Sequence, residues 1–368
     1  MSDPRRVPFN ALTPGGDRAD VDAAIRRVLD SGWFILGPEV ERFEAAFAEA
    51  CGGAHAVGVG TGTDAITLAL RALDIGPGDE VITAPLSAAY SALAVMMAGA
   101  RPVFADIDPA RLTLDPAAAA AAITSRTKAL LPVHLYGQAA DMTPLLALAE
   151  RHHLALVEDC AQAHLATSEG RPVGTMGVAG AFSFYPTKNL GALGDGGAVL
   201  TGDAALAARI KRLRNGGQTT RYQHVEAGAN SRLDELQAAI LYARLPHLAG
   251  WTARRRAIAS TYREGVAARG IAVPPECDTG HVYHLFPVLT RHREAVQAHL
   301  GARGIETFIH YPVPIPRQPA LAATQPRQCP TADRICAEVL SLPMYPALTD
   351  ADVAAVVEGL NAFAASAG

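Results

Sequence analysis

Apolar positions recur with helical spacing over Asp17–Leu29 and again over Glu39–Ala50, EVERFEAAFAEA. Between them SGWFILGP (Ser31–Pro38) follows no period and reads as a loop carrying an aromatic pair. From His55 the texture changes. Short continuous apolar runs appear: AVGV at Ala56–Val59, then EVITAP, PVFADI, TKALLPV, LALVED, AGAFSF and GGAVLT. They alternate with segments that suit helices: DAITLALRAL, SALAVMMAGA, an alanine run over Ala117–Ile123, and TPLLALAERHH. Runs of this kind are strands buried on both faces. Their alternation with helices predicts an α/β fold with a mostly parallel central sheet flanked by helices. Beyond Arg209 longer helices take over, including the arginine-rich WTARRRAIASTYREGVAAR, whose Arg254, Arg255 and Arg256 read as a solvated face. The pattern then predicts strands in HVYHLFPVL and IETFIHY, a helix in REAVQAHLGARG, and two terminal helices. The last helix opens on Thr349 with Asp352 three residues on, the spacing of a capping box. This divides the chain into a large α/β unit over residues 1–245 and a smaller α+β unit over 246–368.

Composition narrows the function. In 368 residues, 49% are hydrophobic and only 18% charged, which predicts a large buried core. The 32 basic and 36 acidic residues leave a net charge of −4, without the basic excess of a general nucleic-acid binder. Five cysteines, an odd number with no C-x-x-C, suggest reduced thiols and neither a disulfide scaffold nor a zinc ribbon. The N-terminus lacks the apolar core of a signal peptide. The longest uncharged apolar stretch, Ala88–Ala100, falls short of the roughly 20 residues of a membrane helix. A soluble cytoplasmic protein is expected. No H-E-x-x-H or other metal-ligand spacing occurs, so no metal site is expected.

Three short segments could carry chemistry. Lys188 follows an apolar strand in FSFYPTKNLGALGDGG, where desolvation would lower its pKa and make the amine nucleophilic; a plain surface lysine is the alternative. Asp159 ends the apolar run LALVED, the place where open α/β sheets bind ligands; a helix-capping aspartate is the alternative. Its neighbour Glu158 would face the other way. Gly60-Thr61-Gly62-Thr63 joins a strand to a helix and suits an anion held by backbone N–H groups, although a tight turn would look the same.

In this order, and together with GTGTDAI, VEDCAQAH, GAFSFYPTKNLGALGDGGAV, ANSRLDELQAAI and IETFIHYPVP, the segments resemble the DegT/DnrJ/EryC1/StrS sugar aminotransferases over nearly the whole chain. The resemblance implies a fold-type I transferase using pyridoxal 5′-phosphate, which becomes pyridoxamine 5′-phosphate during turnover. It implies that Lys188 forms the Schiff base and shuttles protons, that Asp159 pairs with the pyridine nitrogen, and that Gln162 lies beside the ring. It further implies that Ser183, Gly62 and Thr63 bind the phosphate, and that Asn230 reaches the cofactor of a neighbouring subunit in a homodimer. The implied substrates are a keto-sugar, expected to be nucleotide-linked, and an amino donor, expected to be glutamate.

The sequence also departs from the family's pattern. The segment PLSAAYSALA stands where the family often has a Thr-aromatic pair whose ring stacks on the cofactor. Tyr90 is the candidate for that stack, and Ala88 or Ala89 would leave it empty. AHLA replaces AHGA, with Leu165 in place of glycine, and Pro316-Arg317 stands where a histidine is common. His164, Tyr311 and Arg317 are the candidate substrate contacts; His134, His284 and His310 read as packing residues. Two rivals remain. Sugar dehydratases of the family carry histidine at the lysine position, against which Lys188 argues. A regulatory relative would keep the fold without the intact set of Lys188, Asp159, Gln162 and Ser183.

Overall fold

The computed structural model describes residues 6–13, 15–324 and 328–363. Its centre is a seven-stranded sheet: β1 (His55–Val59), β2 (Glu80–Thr83), β3 (Arg101–Phe104), β4 (Thr127–Leu131), β5 (Ala155–Asp159), β6 (Ala179–Ser183) and β7 (Gly197–Thr201). The order is β1-β7-β6-β5-β4-β2-β3, and only β7 runs against the rest. Each continuous apolar run of the sequence became one of these strands. Their burial on both faces explains why the runs do not alternate.

Helices α1 (Arg18–Ser31) and α2 (Pro38–Ala50) pack on α8 (Glu235–Arg244). Glu235 is fully buried there. Its carboxylate accepts hydrogen bonds from the backbone N–H groups of Gly37, Glu39 and Val40, and so caps the start of α2 from a distant part of the chain. α3 (Gly62–Ala72), α4 (Tyr90–Met97) and α7 (Ala204–Leu213) share one core with the sheet. α5 (Pro116–Ala122) and α6 (Met142–His152) cover another part of it.

The long α9 (Leu248–Gly265) leads into the C-terminal part, where β8 (Phe286–Leu289) pairs antiparallel with β9 (Val339–Leu342). α10 (Arg293–Gly301) and α12 (Asp350–Asn361) share its core with Val7 from the other end of the chain. α11 (Pro330–Glu338) instead packs through Ile335 and Cys336 into the core beneath β2–β4. The capping box of α12 is formed as expected.

Two expectations are corrected. IETFIHY is not a strand; Ile305 and Phe308 make only isolated bridges to Val7 and Ser341, and β9 takes the place beside β8. The arginine cluster on α9 is only partly a solvated face. Arg255 is 4% exposed and donates to the carbonyls of Tyr283, His284 and Met344. Arg254 donates to the carbonyl of Leu348, and Arg256 to that of His281. Among the described residues, no helix is long and apolar enough to cross a membrane.

Candidate active site

Strands β1, β5 and β6 run in the same direction, so their carboxyl ends reach one edge of the sheet. β7 sets the spacing between two of them: Gly197 pairs with Val59 on one side and with Ser183 on the other. A Cβ at Gly197 would lie 2.3 Å from the carbonyl oxygen of Thr61. A Cβ at Gly62 would lie 2.6 Å from the Cβ of Ser183. The two glycines therefore let the turn after β1 close onto the end of β6. Thr61 caps α3 by accepting the N–H of Asp64 at 3.0 Å. Among the described residues nothing takes the N–H groups of Gly62 and Thr63, which stand at the positive end of the helix beside the Ser183 hydroxyl.

Asp159 ends β5 and is 5% exposed. Its Oδ1 accepts the Ala161 N–H at 3.0 Å and its Oδ2 accepts the Ser91 hydroxyl at 2.6 Å. Glu158, one residue earlier, is buried on the opposite face. It accepts from the N–H groups of Gly174, Met176 and Gly177 and from His134 Nε2. His134 Nδ1 accepts the Ala140 N–H, which leaves Nε2 as the ring's donor. Glu158, His134 and Cys160 lie close together, but the carboxylate's partners are already in place.

Lys188 follows β6 by five residues, on a turn closed by its N–H to the Tyr185 carbonyl. Its amine has no hydrogen bond or ion pair among the described residues. The residue keeps some surface, yet burial of the ammonium pulls its pKa down to about 8, against the opposing pull of nearby Asp159. Three imidazoles feel the charge of Lys188, and all are held neutral chiefly by burial: His164 near 3, His310 near 4, and His284 well below its usual range. Gln162 is clamped between the Tyr136 N–H, which its Oε1 accepts at 2.8 Å, and the Tyr311 hydroxyl, to which its Nε2 donates at 3.1 Å. Burial, reinforced by Asp159, raises the Tyr311 hydroxyl to about 12, so it stays protonated.

The structure thus brings Lys188, Asp159, Gln162, Ser183, Gly62, Thr63 and Tyr311 to one edge of the sheet. Tyr90 opens α4 on the rim, 64% exposed and directly before Ser91. Asn230 is exposed, next to Ser231, which donates to Asp64 and accepts the Gly60 N–H. One expected substrate contact is corrected. The His164 ring is wholly buried near Phe182 and Phe184 and has no surface to offer a ligand. Arg317, another expected substrate contact, lies on the surface in a bidentate ion pair with Asp333. Ser91 was missed. The only signal for it was a lone hydroxyl in the otherwise apolar YSALAVMM.

Residues 17–361 match the DegT/DnrJ/EryC1/StrS aminotransferase family. The chain belongs to this family. It is 51% identical over 98% of its length to dTDP-3-amino-3,4,6-trideoxy-alpha-D-glucose transaminase of Streptomyces venezuelae, 96% of which is covered. The crystal structure of S. venezuelae DesV in complex with a ketimine intermediate superposes with a TM-score of 0.93 at 51% identity, covering 97% of this chain and 98% of that one. NtdA from Bacillus subtilis, solved with bound cofactor PMP, gives 0.90 at 31% identity and covers 96% and 84%. Within the family frame, the edge built from β1, β5 and β6 is the place to look for an aminotransferase site.

Proposed function

We propose that this protein uses pyridoxal phosphate to move an amino group from an amino acid, glutamate being the expected donor, to carbon 3 of a nucleotide-linked keto-sugar. The observation that carries the reading is Lys188. Its amine, with no hydrogen bond or ion pair among the described residues and a pKa near 8, feels the charge of the buried Asp159 in a chain half identical to a 3-amino-sugar transaminase. The donor assignment rests on the family resemblance, and the C3 ketone on that relative. A cytoplasmic location is part of the same proposal.

The residues present fit the cofactor. Asp159 has spent one lone pair on each oxygen and can still accept a pyridinium N–H. The N–H groups of Gly62 and Thr63, unclaimed among the described residues, and the Ser183 hydroxyl suit a phosphate. When bound, pyridoxal phosphate supplies an electron sink for the charge left at the donor carbon and stores the amino group between half-reactions. Lys188 would hold the cofactor through its amine. Its neutral amine, when free, would serve as the base that takes the proton from the donor carbon. Asp159 would accept the ring N–H, and Gln162, held by Tyr136 and Tyr311, would lie beside the ring.

The test is a single-turnover measurement. Enzyme loaded with pyridoxamine phosphate is mixed with a dTDP-linked 3-keto sugar, and the pyridoxal form is followed by its visible absorbance. Conversion with the 3-keto sugar is expected. Conversion only with a 4-keto isomer, or with neither, overturns the assignment.

We further propose a homodimer in which Asn230 of one protomer reaches the cofactor phosphate held by the other. Supporting this, Trp33, Phe34, Tyr185 and Leu193 leave apolar surface exposed, the last two flanking Lys188. Mixing the inactive Lys188→Ala protein with an impaired Asn230→Ala protein should restore activity above either parent, because one site of each hybrid regains both residues. No gain on subunit exchange would refute shared sites.

A further inference from the structure

We infer that Ser91 is a positioning residue that fixes the carboxylate of Asp159 against the cofactor's ring nitrogen and so sets how firmly the pyridine ring is held. The inference rests on the assignment of Asp159 proposed above.

Serine in a helix commonly spends its hydroxyl on its own helix, at the carbonyl one turn back. Ser91, in the first turn of α4 and 2% exposed, instead donates to Asp159 Oδ2, 68 residues away in sequence, at 2.6 Å. That length is typical of a hydroxyl donating to a charged oxygen. A serine hydroxyl carries one proton, and this one is fully used here. The other oxygen, Oδ1, is held by the Ala161 N–H from the loop after β5. The carboxylate is therefore gripped at both oxygens from two separate elements. This matters because the last torsion of an aspartate is soft, with broad preferences. With only the Ala161 contact the group can turn about that torsion. With Ser91 in place its plane is fixed, and the remaining lone pairs point in one direction.

The rival account is that Ser91 merely satisfies a buried polar group and would matter equally with any ligand. The two accounts differ in one respect. A residue that acts through Asp159 on the ring nitrogen has no effect when the ligand lacks that nitrogen.

The experiment titrates full-length apoenzyme, as wild type, Ser91→Ala, Ser91→Thr and Asp159→Asn, with pyridoxal phosphate and with the analogue in which CH replaces the ring nitrogen. Affinities are read from protein fluorescence. Ser91→Ala should weaken pyridoxal phosphate binding about tenfold and leave the analogue unchanged, and Ser91→Thr should restore it. Equal weakening for both ligands, or for neither, overturns the role of Ser91. If Asp159→Asn also treats the two ligands alike, Asp159 does not face the ring nitrogen, and the parent assignment falls with it. Melting temperatures of the apo variants report any loss of folding separately.

Discussion

Lys188→Ala protein should fold normally and lose about 10⁴-fold in turnover, the upper range for removing a positioned acid–base group. The side chain makes no hydrogen bond or ion pair among the described residues, so its removal breaks no structural contact of that kind. Its loss takes away both the attachment point and the proton carrier. Borohydride treatment of wild-type holoenzyme should fix the cofactor on the peptide that contains residue 188, and should fix none in the variant. Turnover within tenfold of wild type, or label on another lysine, would remove Lys188 from the mechanism. The pH dependence follows from the same geometry. Burial lowers the pKa from the usual lysine value to about 8, so the amine is charged below that pH and neutral above it. Only the neutral amine attacks an aldehyde. The rate at which apoenzyme captures pyridoxal phosphate should therefore climb through about pH 8 and level off above it. A rate still climbing steeply near the pKa of a solvated lysine would show that the amine is not desolvated.

The sheet was legible because its strands are buried on both faces, which forces continuous apolar runs such as Leu156–Val157 and Val199–Leu200. The smaller sheet was not, and the reason is local. IETFIHY has strand composition, but its backbone makes only isolated bridges. Val339–Leu342 follows α11 with no turn residue between them, so nothing in the sequence marks the change from helix to strand. The residues proposed to do chemistry through their own functional group, Lys188 and Asp159, could be found from their places at or soon after strand ends. Those defined by a distant partner could not. Arg255 resembles its surface neighbours until the carbonyls of Tyr283 and Met344 are seen around it. His164 ends the segment VEDCAQAH, yet it faces Phe182 and Phe184. Ser91 gains its meaning only from an aspartate on another element.

Asp159→Asn separates charge from shape at the same site. The amide oxygen can still accept the Ala161 N–H, and the amide nitrogen can face Ser91, whose hydroxyl also accepts, so the fold should survive with little change in melting temperature. What disappears is the negative charge opposite the ring nitrogen. Two opposite charges about 4 Å apart attract by about 4 kcal/mol at the effective dielectric typical of proteins. If that attraction is what keeps the ring nitrogen protonated, its removal should lower the rate of the donor half-reaction by about 10³-fold. The loss should fall on the proton-transfer step rather than on donor affinity, because the carboxylate's role is to stabilise charge that develops after binding. Stopped-flow measurement of the half-reaction over a range of donor concentrations distinguishes these outcomes. A large drop in limiting rate at nearly constant half-saturation is expected. A variant within tenfold of wild type would mean that ring protonation is not what Asp159 supplies. A defect confined to donor affinity would reassign Asp159 to substrate binding.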